Sequence, residues 1–201
     1  KPHPPYGIHE PYYSMYDRDA IKAYPHDLPE NATLHLRKQR ELRLGNDISE
    51  AALRELQAVY YGSVTFIDDC IARIMAAMND EDLFKETLII FCADHGDFAS
   101  QYGINEKWDT AMQDCILHVP FILAAPGLPA GTRIDSLTEH VDIPATVLEL
   151  LNIDGDVRWN WHWRSLVRAI EGERKDAVFG DAGHEAPMRA RFNRPAYDKI
   201  E

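Results

Sequence analysis

Apolar residues recur at helical spacing over one long stretch of the chain: Leu53, Leu56, Val59, Tyr60, Phe66, Ile67, Cys70, Ile71, Ile74, Met75 and Met78. Asp47 and Glu50 form a capping box ahead of them, so the pattern predicts a long amphipathic helix ending near Asn79. The period then changes. Thr87-Leu88-Ile89-Ile90-Phe91-Cys92-Ala93 is a continuous apolar run, as expected of a fully buried parallel strand. Val119 to Ala125, closed by Pro126-Gly127, reads as a second strand. Asp142 opens another helix through Val147, Leu148, Leu150 and Leu151, with Pro144 tolerated in its first turn. A short helix over Ser165 to Glu171 stops at Gly172, and Ala177 to Gly180 suggests a last strand. Helices alternating with strands predict an α/β fold, a mostly parallel sheet covered by helices. The chain shows no internal repeat or low-complexity tract.

Before this region the pattern is weak. The first stretch is rich in Pro, His and Tyr with little periodicity until Leu34, and reads as an extended segment wrapping a surface. The expected organisation is therefore 1–46 irregular wrapping segment, 47–155 α/β core and 156–201 C-terminal helix and strand region. With 201 residues, 45% of them hydrophobic, the chain has room for one sizeable core and a small appended subdomain. A formal charge of −12 argues against wrapping nucleic acid, which needs clustered Lys and Arg. The basic run Arg37-Lys38-Gln39-Arg40 reads as a solvated helix face. No apolar stretch approaches a membrane span. The sequence begins at Lys1, inside what reads as a structured turn, so we expect a piece of something longer. The lack of a visible signal peptide then leaves periplasm and cytoplasm equally open. Cys70, Cys92 and Cys115 are odd in number, widely spaced and set in apolar sequence, which suits buried free thiols.

Candidate chemistry concentrates where the apolar run ends in Asp94-His95-Gly96-Asp97. Ligands in open α/β sheets gather at the carboxyl ends of strands, and adjacent carboxylate and imidazole groups can face one divalent cation. The alternative is that Asp94 only makes an Asx turn and His95 is polar surface. Lys107, further along the loop, could return over the cation to hold an anionic group, or be solvated surface. His3 is held among Pro2, Pro4 and Pro5, stiff enough to present it to a substrate, or merely exposed in an arm. Trp159, Trp161 and Trp163 surround Asn160 and His162 in a cluster that suits a stacking platform or, more often, a core plug or interface. His118 and His140 read as packed or hydrogen-bonded histidines. No Cys- or Ser-x-Pro-x-Arg segment, Gly-x-Ser-x-Gly elbow or phosphate-binding glycine loop occurs.

Taken in order, these segments resemble the sulfatase family of the alkaline-phosphatase-like superfamily, almost from end to end. Pro2-His3-Pro4-Pro5-Tyr6 and Pro11-Tyr12-Tyr13-Ser14-Met15-Tyr16 resemble its Pro-His-x-Pro-aromatic segment and the Pro-Tyr stretch after it. Tyr60-Tyr61-Gly62-Ser63-Val64 with Ile67-Asp68 resembles its long helix. Ala93-Asp94-His95-Gly96-Asp97, Lys107, Val119-Pro120-Phe121-Ile122 and Pro126-Gly127 resemble its metal-binding segment and the strand behind it. Val141-Asp142-Ile143 with Thr146 and Leu148, then Arg164-Ser165-Leu166, resembles its closing helices.

The resemblance implies an alkaline-phosphatase-like α/β fold, incomplete in this chain. It implies Ca2+ (or Mn2+ or another divalent ion) with Asp94 and His95 as the downstream half of its ligands, the rest coming from an upstream segment of the same protein. That segment would also carry the nucleophile, a Cys or Ser oxidised to formylglycine. Lys107 and His3 would act on the sulfate ester, Lys107 offsetting charge on its oxygens and His3 contacting the sulfate or assisting the leaving oxygen. By itself a chain with half the ligands should bind its ion weakly and hydrolyse nothing. Tyr102-Gly103 stands where many relatives have His-Gly, and Pro144 lies one place early. The expected activity is metal-dependent hydrolysis of sulfuric esters. Hydrolysis of phosphonate monoesters or phosphodiesters is the near alternative, and a non-catalytic relative binding sulfated glycans the alternative from another class.

Overall fold

The computed structural model describes residues 2–42, 48–107, 111–153 and 163–178. In chain order its elements are α1 (Leu34–Leu42), α2 (Glu50–Asp80), β1 (Ile89–Cys92), α3 (Asp114–Leu117), β2 (Phe121–Ala124), α4 (Asp142–Leu150) and α5 (Leu166–Ile170). β1 and β2 pair in a two-stranded sheet.

The long helix forms as its periodicity requires, but its cap differs from the expected box. Ser49 is the N-cap and accepts a hydrogen bond from the Ala52 amide at 3.2 Å. Asp47 lies outside the described residues. Only the first half of α2 is buried, through Leu53, Gln57, Ala58, Val59, Gly62 and Ser63, while Val64 and Ile74 are exposed.

The wrapping segment lies along the helix from Glu55 to Asp69. Tyr12 donates to Asp69 at 2.7 Å, the Tyr16 hydroxyl lies 2.6 Å from the Thr65 hydroxyl, and Arg18 makes a two-pronged contact with Glu55 at 2.8 and 3.2 Å. The segment thus runs antiparallel to the helix. It approaches closely at Gly62, where a Cβ would lie 2.3 Å from the Tyr12 carbonyl oxygen.

The described chain packs as two compact units, 2–83 with 91–121 and 84–90 with 122–178. The first has a core of Leu36, Phe98, Ile104, Ala111 and Ile116, with Leu28, Ala32, Tyr102 and Cys115 against it. Phe98, Ile104 and Ala111, from the loop after β1, supply three of those five residues, which fixes the loop's shape.

In the second unit α4 and α5 are joined through polar side chains. Thr146 donates to the Asp142 carbonyl at 2.7 Å and accepts from the Leu166 amide at 2.9 Å. The Asp142 carboxylate is 1% exposed, accepts from the Glu139 and Arg164 amides at 2.9 Å each, and is paired with the Lys175 ammonium at 3.1 Å. Lys175 also pairs with Glu139. Burial alone would lower the lysine's pKa, but the two carboxylates outweigh it and hold it above the ordinary value.

Several expectations need correction. β1 is not fully buried: Ile89 and Ile90 are half-buried, Phe91 and Cys92 exposed, and Ile122 on β2 is 61% exposed. A buried strand needs cover on both faces, which the two-stranded sheet does not receive among the described residues. The cysteines are free, but Cys92 is exposed and the other two only half-buried. His118, after α3, is exposed rather than packed. Ala177 and Val178 are exposed and form no strand, and the rest of that segment lies outside the described residues, as do Trp159 and Trp161.

Candidate metal and anion site

β1 ends at Cys92, and the chain leaves it through Ala93 and Asp94. Asp94 Oδ1 accepts the His95 amide at 2.9 Å, a bond to the next residue rather than an Asx turn, which holds the carboxylate against the backbone. His95 Nδ1 lies 2.9 Å from the Gly96 carbonyl oxygen. A carbonyl only accepts, so Nδ1 carries a hydrogen, and in the neutral ring that a metal ligand requires Nε2 keeps its lone pair. Asp94 Oδ2 and His95 Nε2 are the two donor atoms that remain, and they lie 3.4 Å apart. The aspartate side chain is 85% exposed and the histidine 35%, so both can be reached from solvent.

Gly96 makes this turn sterically feasible. Its amide donates to the Ile116 carbonyl at 2.7 Å, and a Cβ there would stand 1.9 Å from the Cys115 carbonyl oxygen. The glycine is demanded by close backbone approach.

The loop then winds through an unusual run of left-handed residues, with positive φ at Ala99, Ser100, Tyr102, Gly103 and Glu106. Asp97 braces it by accepting the Ala99 amide at 2.7 Å, and Gln57 from α2 donates to the Ser100 hydroxyl at 2.7 Å. The Phe98 amide reaches the Glu106 carbonyl at 3.2 Å and closes the loop just before Lys107.

Of the residues singled out from the sequence, Asp94 and His95 adjoin. Lys107 is half-buried in the same compact unit, and His3 is exposed with Nδ1 2.6 Å from the Pro4 carbonyl. Among the described residues no hydrogen bond or ion pair joins Lys107 or His3 to Asp94 or His95, and no group of three His, Cys, Asp or Glu side chains is placed to hold a metal.

What pattern reading passes over is Tyr6. Its hydroxyl shares a hydrogen between both Asp97 carboxylate oxygens, 2.9 Å each, and accepts the Glu106 amide at 2.8 Å. Burial, then the Asp97 charge and hydrogen bond, raise its pKa well above the usual tyrosine value. Tyr60, against which its ring packs edge-on at 6.4 Å, is raised to about 12 for the same first reason. The aromatic position in Pro-His-x-Pro-aromatic is the available signal, but one residue does not reveal a partner ninety positions away.

A family model described as Sulfatase matches residues 2–153. This chain belongs to the sulfatase family. It is 27% identical over 168 residues to the multifunctional alkaline phosphatase superfamily protein PehA of Trinickia caryophylli, covering 75% of the chain and 32% of that protein. With arylsulfatase K of Gallus gallus it shares 29% identity over 107 residues, 53% of the chain and 20% of the relative. Among solved structures, the phosphonate monoester hydrolase SpPMH from Silicibacter pomeroyi superposes with a TM-score of 0.69 at 25% identity, over 89% of this chain and 37% of that one. The sulfatase-family chain therefore has the alkaline-phosphatase-like fold in part, and it spans about a third or less of the length of the curated relatives it matches.

Proposed function

We propose that this chain is the downstream part of a metal-dependent sulfuric ester hydrolase. The observation that supports it best is the pair of donor atoms left by the local hydrogen bonds: Asp94 Oδ2 and His95 Nε2, 3.4 Å apart at the end of a strand. That separation suits two adjacent ligands of one divalent ion, and a histidine whose second nitrogen donates to a backbone carbonyl is the usual orientation for a ligand. The residues therefore fit half a coordination shell. In this reading the ion is Ca2+, Mn2+ or another divalent cation, the other ligands and a formylglycine nucleophile come from an upstream segment, and the substrate is a small-molecule or glycan sulfate ester. The cation, when bound, would supply positive charge against the sulfate oxygens.

The chain's own groups have separable tasks. Lys107 offers an ammonium to the same oxygens. His3 donates from Nδ1 to the Pro4 carbonyl; as an imidazolium it would also hold a proton on Nε2, with which to hydrogen-bond the sulfate or protonate the leaving oxygen. The full-length protein should hydrolyse an aryl sulfate in the presence of Ca2+ or Mn2+, and Asp94→Asn should lower turnover by about 100- to 1,000-fold, as removal of a charge-stabilising group does. Unchanged turnover in that variant refutes the role of Asp94.

The likeness to SpPMH, whose name assigns it to phosphonate monoesters, favours a second reading on such esters. Sulfate and phosphonate esters both present anionic oxygens to a cationic clamp. The ratio of kcat/KM for an aryl sulfate and an aryl phosphonate, measured on one preparation, decides between them: a clear excess for the phosphonate overturns the sulfatase reading.

A further inference from the structure

The site just proposed draws on three segments distant in sequence, and one hydroxyl touches all three. Tyr6 lies three residues after His3, its acceptor Asp97 two residues after His95, and its donor, the Glu106 amide, belongs to the residue before Lys107. The tie is half-buried, and its ring is braced edge-on by Tyr60 on α2. The loop it closes needs such bracing: Ala99, Ser100, Tyr102 and Glu106 hold φ of 43, 81, 59 and 70°, which non-glycine residues keep only when their surroundings enforce them.

We propose that Tyr6 is a positioning residue of the hydrolytic site: its hydroxyl, donating to Asp97 and accepting from the Glu106 amide, fixes the arm that carries His3 and the loop end that carries Lys107 to the turn behind Asp94 and His95. The inference rests on the functional reading above. Tyr6 itself exchanges no proton with substrate. The role is one of registration, where misplacement by about 1 Å costs on the order of a hundredfold in rate.

The test compares three variants of the full-length protein, all verified as folded by circular dichroism, on an aryl sulfate and an aryl phosphonate. Tyr6→Phe should lower kcat by about 10- to 100-fold with KM changed less than about threefold, because the loss is of alignment rather than of ground-state binding. Amide hydrogen exchange at Glu106 should quicken by at least about tenfold as its acceptor disappears. Asp97→Asn keeps an oxygen for the Ala99 amide but weakens the tie, so its kcat should fall between Tyr6→Phe and the parent. Tyr16→Phe, which removes a hydroxyl contact of the same arm with Thr65 and with none of these segments, should keep the parental kcat.

A Tyr6→Phe kcat within about threefold of the parent overturns the proposal, as does an equal loss in Tyr16→Phe, which would mean that any loosening of the arm suffices. Asp94→Asn run alongside separates the two ideas. If it keeps its activity while Tyr6→Phe loses its own, the cation reading fails and the positioning role stands. The opposite result removes the positioning role alone.

Discussion

At Gly96 the smallest side chain is a geometric requirement. A methyl group placed 1.9 Å from the Cys115 carbonyl oxygen has to push backbone against backbone, since nothing flexible is available to yield. Gly96→Ala should therefore cost roughly 2–4 kcal/mol of stability, more than a typical single substitution, and should shift His95 with it. A denaturant titration checks the first, and loss of the Nδ1 hydrogen bond, read from the imidazole NMR signals, the second. Lys175 is the other residue whose loss should be large. It faces Asp142, 1% exposed, and Glu139, so Lys175→Met leaves two carboxylates together with their cation gone. Breaking such a pair costs about 3 kcal/mol, lessened by the two amides that Asp142 still accepts. Urea unfolding followed by Trp fluorescence should show the drop. Both glycine and lysine are plain letters in the sequence, and neither the approach of residue 115 nor the convergence of 139, 142 and 175 has a local signature.

At the level of elements, α2 shows where periodicity informs and where it misleads. Its length and end near residue 80 follow from the apolar spacing, because a helix buries whichever stripe the sequence provides. The spacing does not say what covers the stripe. Gly62, midway along, looks from propensity alone like a defect that alanine would repair by about 1 kcal/mol. Tyr12 reverses the sign: with its carbonyl 2.3 Å from the added Cβ, Gly62→Ala should destabilise by about 1–3 kcal/mol and loosen the wrapping segment. A thermal melt gives the sign, and faster proteolysis of the arm gives the cause. The opposite shift, a higher melting temperature, contradicts the packing of the arm on α2. β1 is equally legible as a strand from its apolar run, yet the run overstates its burial, since cover is a property of neighbouring elements.

For the molecule as a whole, stability should fall on the alkaline side. Tyr60 is raised from 10.0 to about 12, first by burial and then by the Asp97 charge, and Cys115 from 9.0 to about 11, again first by burial. The unfolded chain loses these protons at lower pH than the folded one, so above the unfolded values it becomes relatively more stable. Their contribution is complete below about pH 9 and is lost as pH climbs towards 11 and 12; Tyr6 and Lys175, also raised, act in the same direction. A rise from 10.0 to about 12, or from 9.0 to about 11, corresponds to roughly 3 kcal/mol, and solvent screening at these half-buried sites brings the loss for each below that. The urea midpoint should hold level to about pH 9 and then decline, with Tyr60→Phe showing a shallower decline. A midpoint that keeps rising beyond pH 10 contradicts this.

The sequence by itself determined the α/β alternation, the places of α2, β1, β2, α4 and α5, and the adjacency of Asp94 and His95, since all are carried by local periodicity or by covalent neighbours. Tertiary structure decided which of their donor atoms remain available, why residue 96 must be glycine, and that Tyr6 links the segments bearing His3 and Lys107. Those depend on contacts between residues distant in the chain. A spacing rule reports which face a residue occupies along its own element, but the group it meets there is set by how the chain folds back.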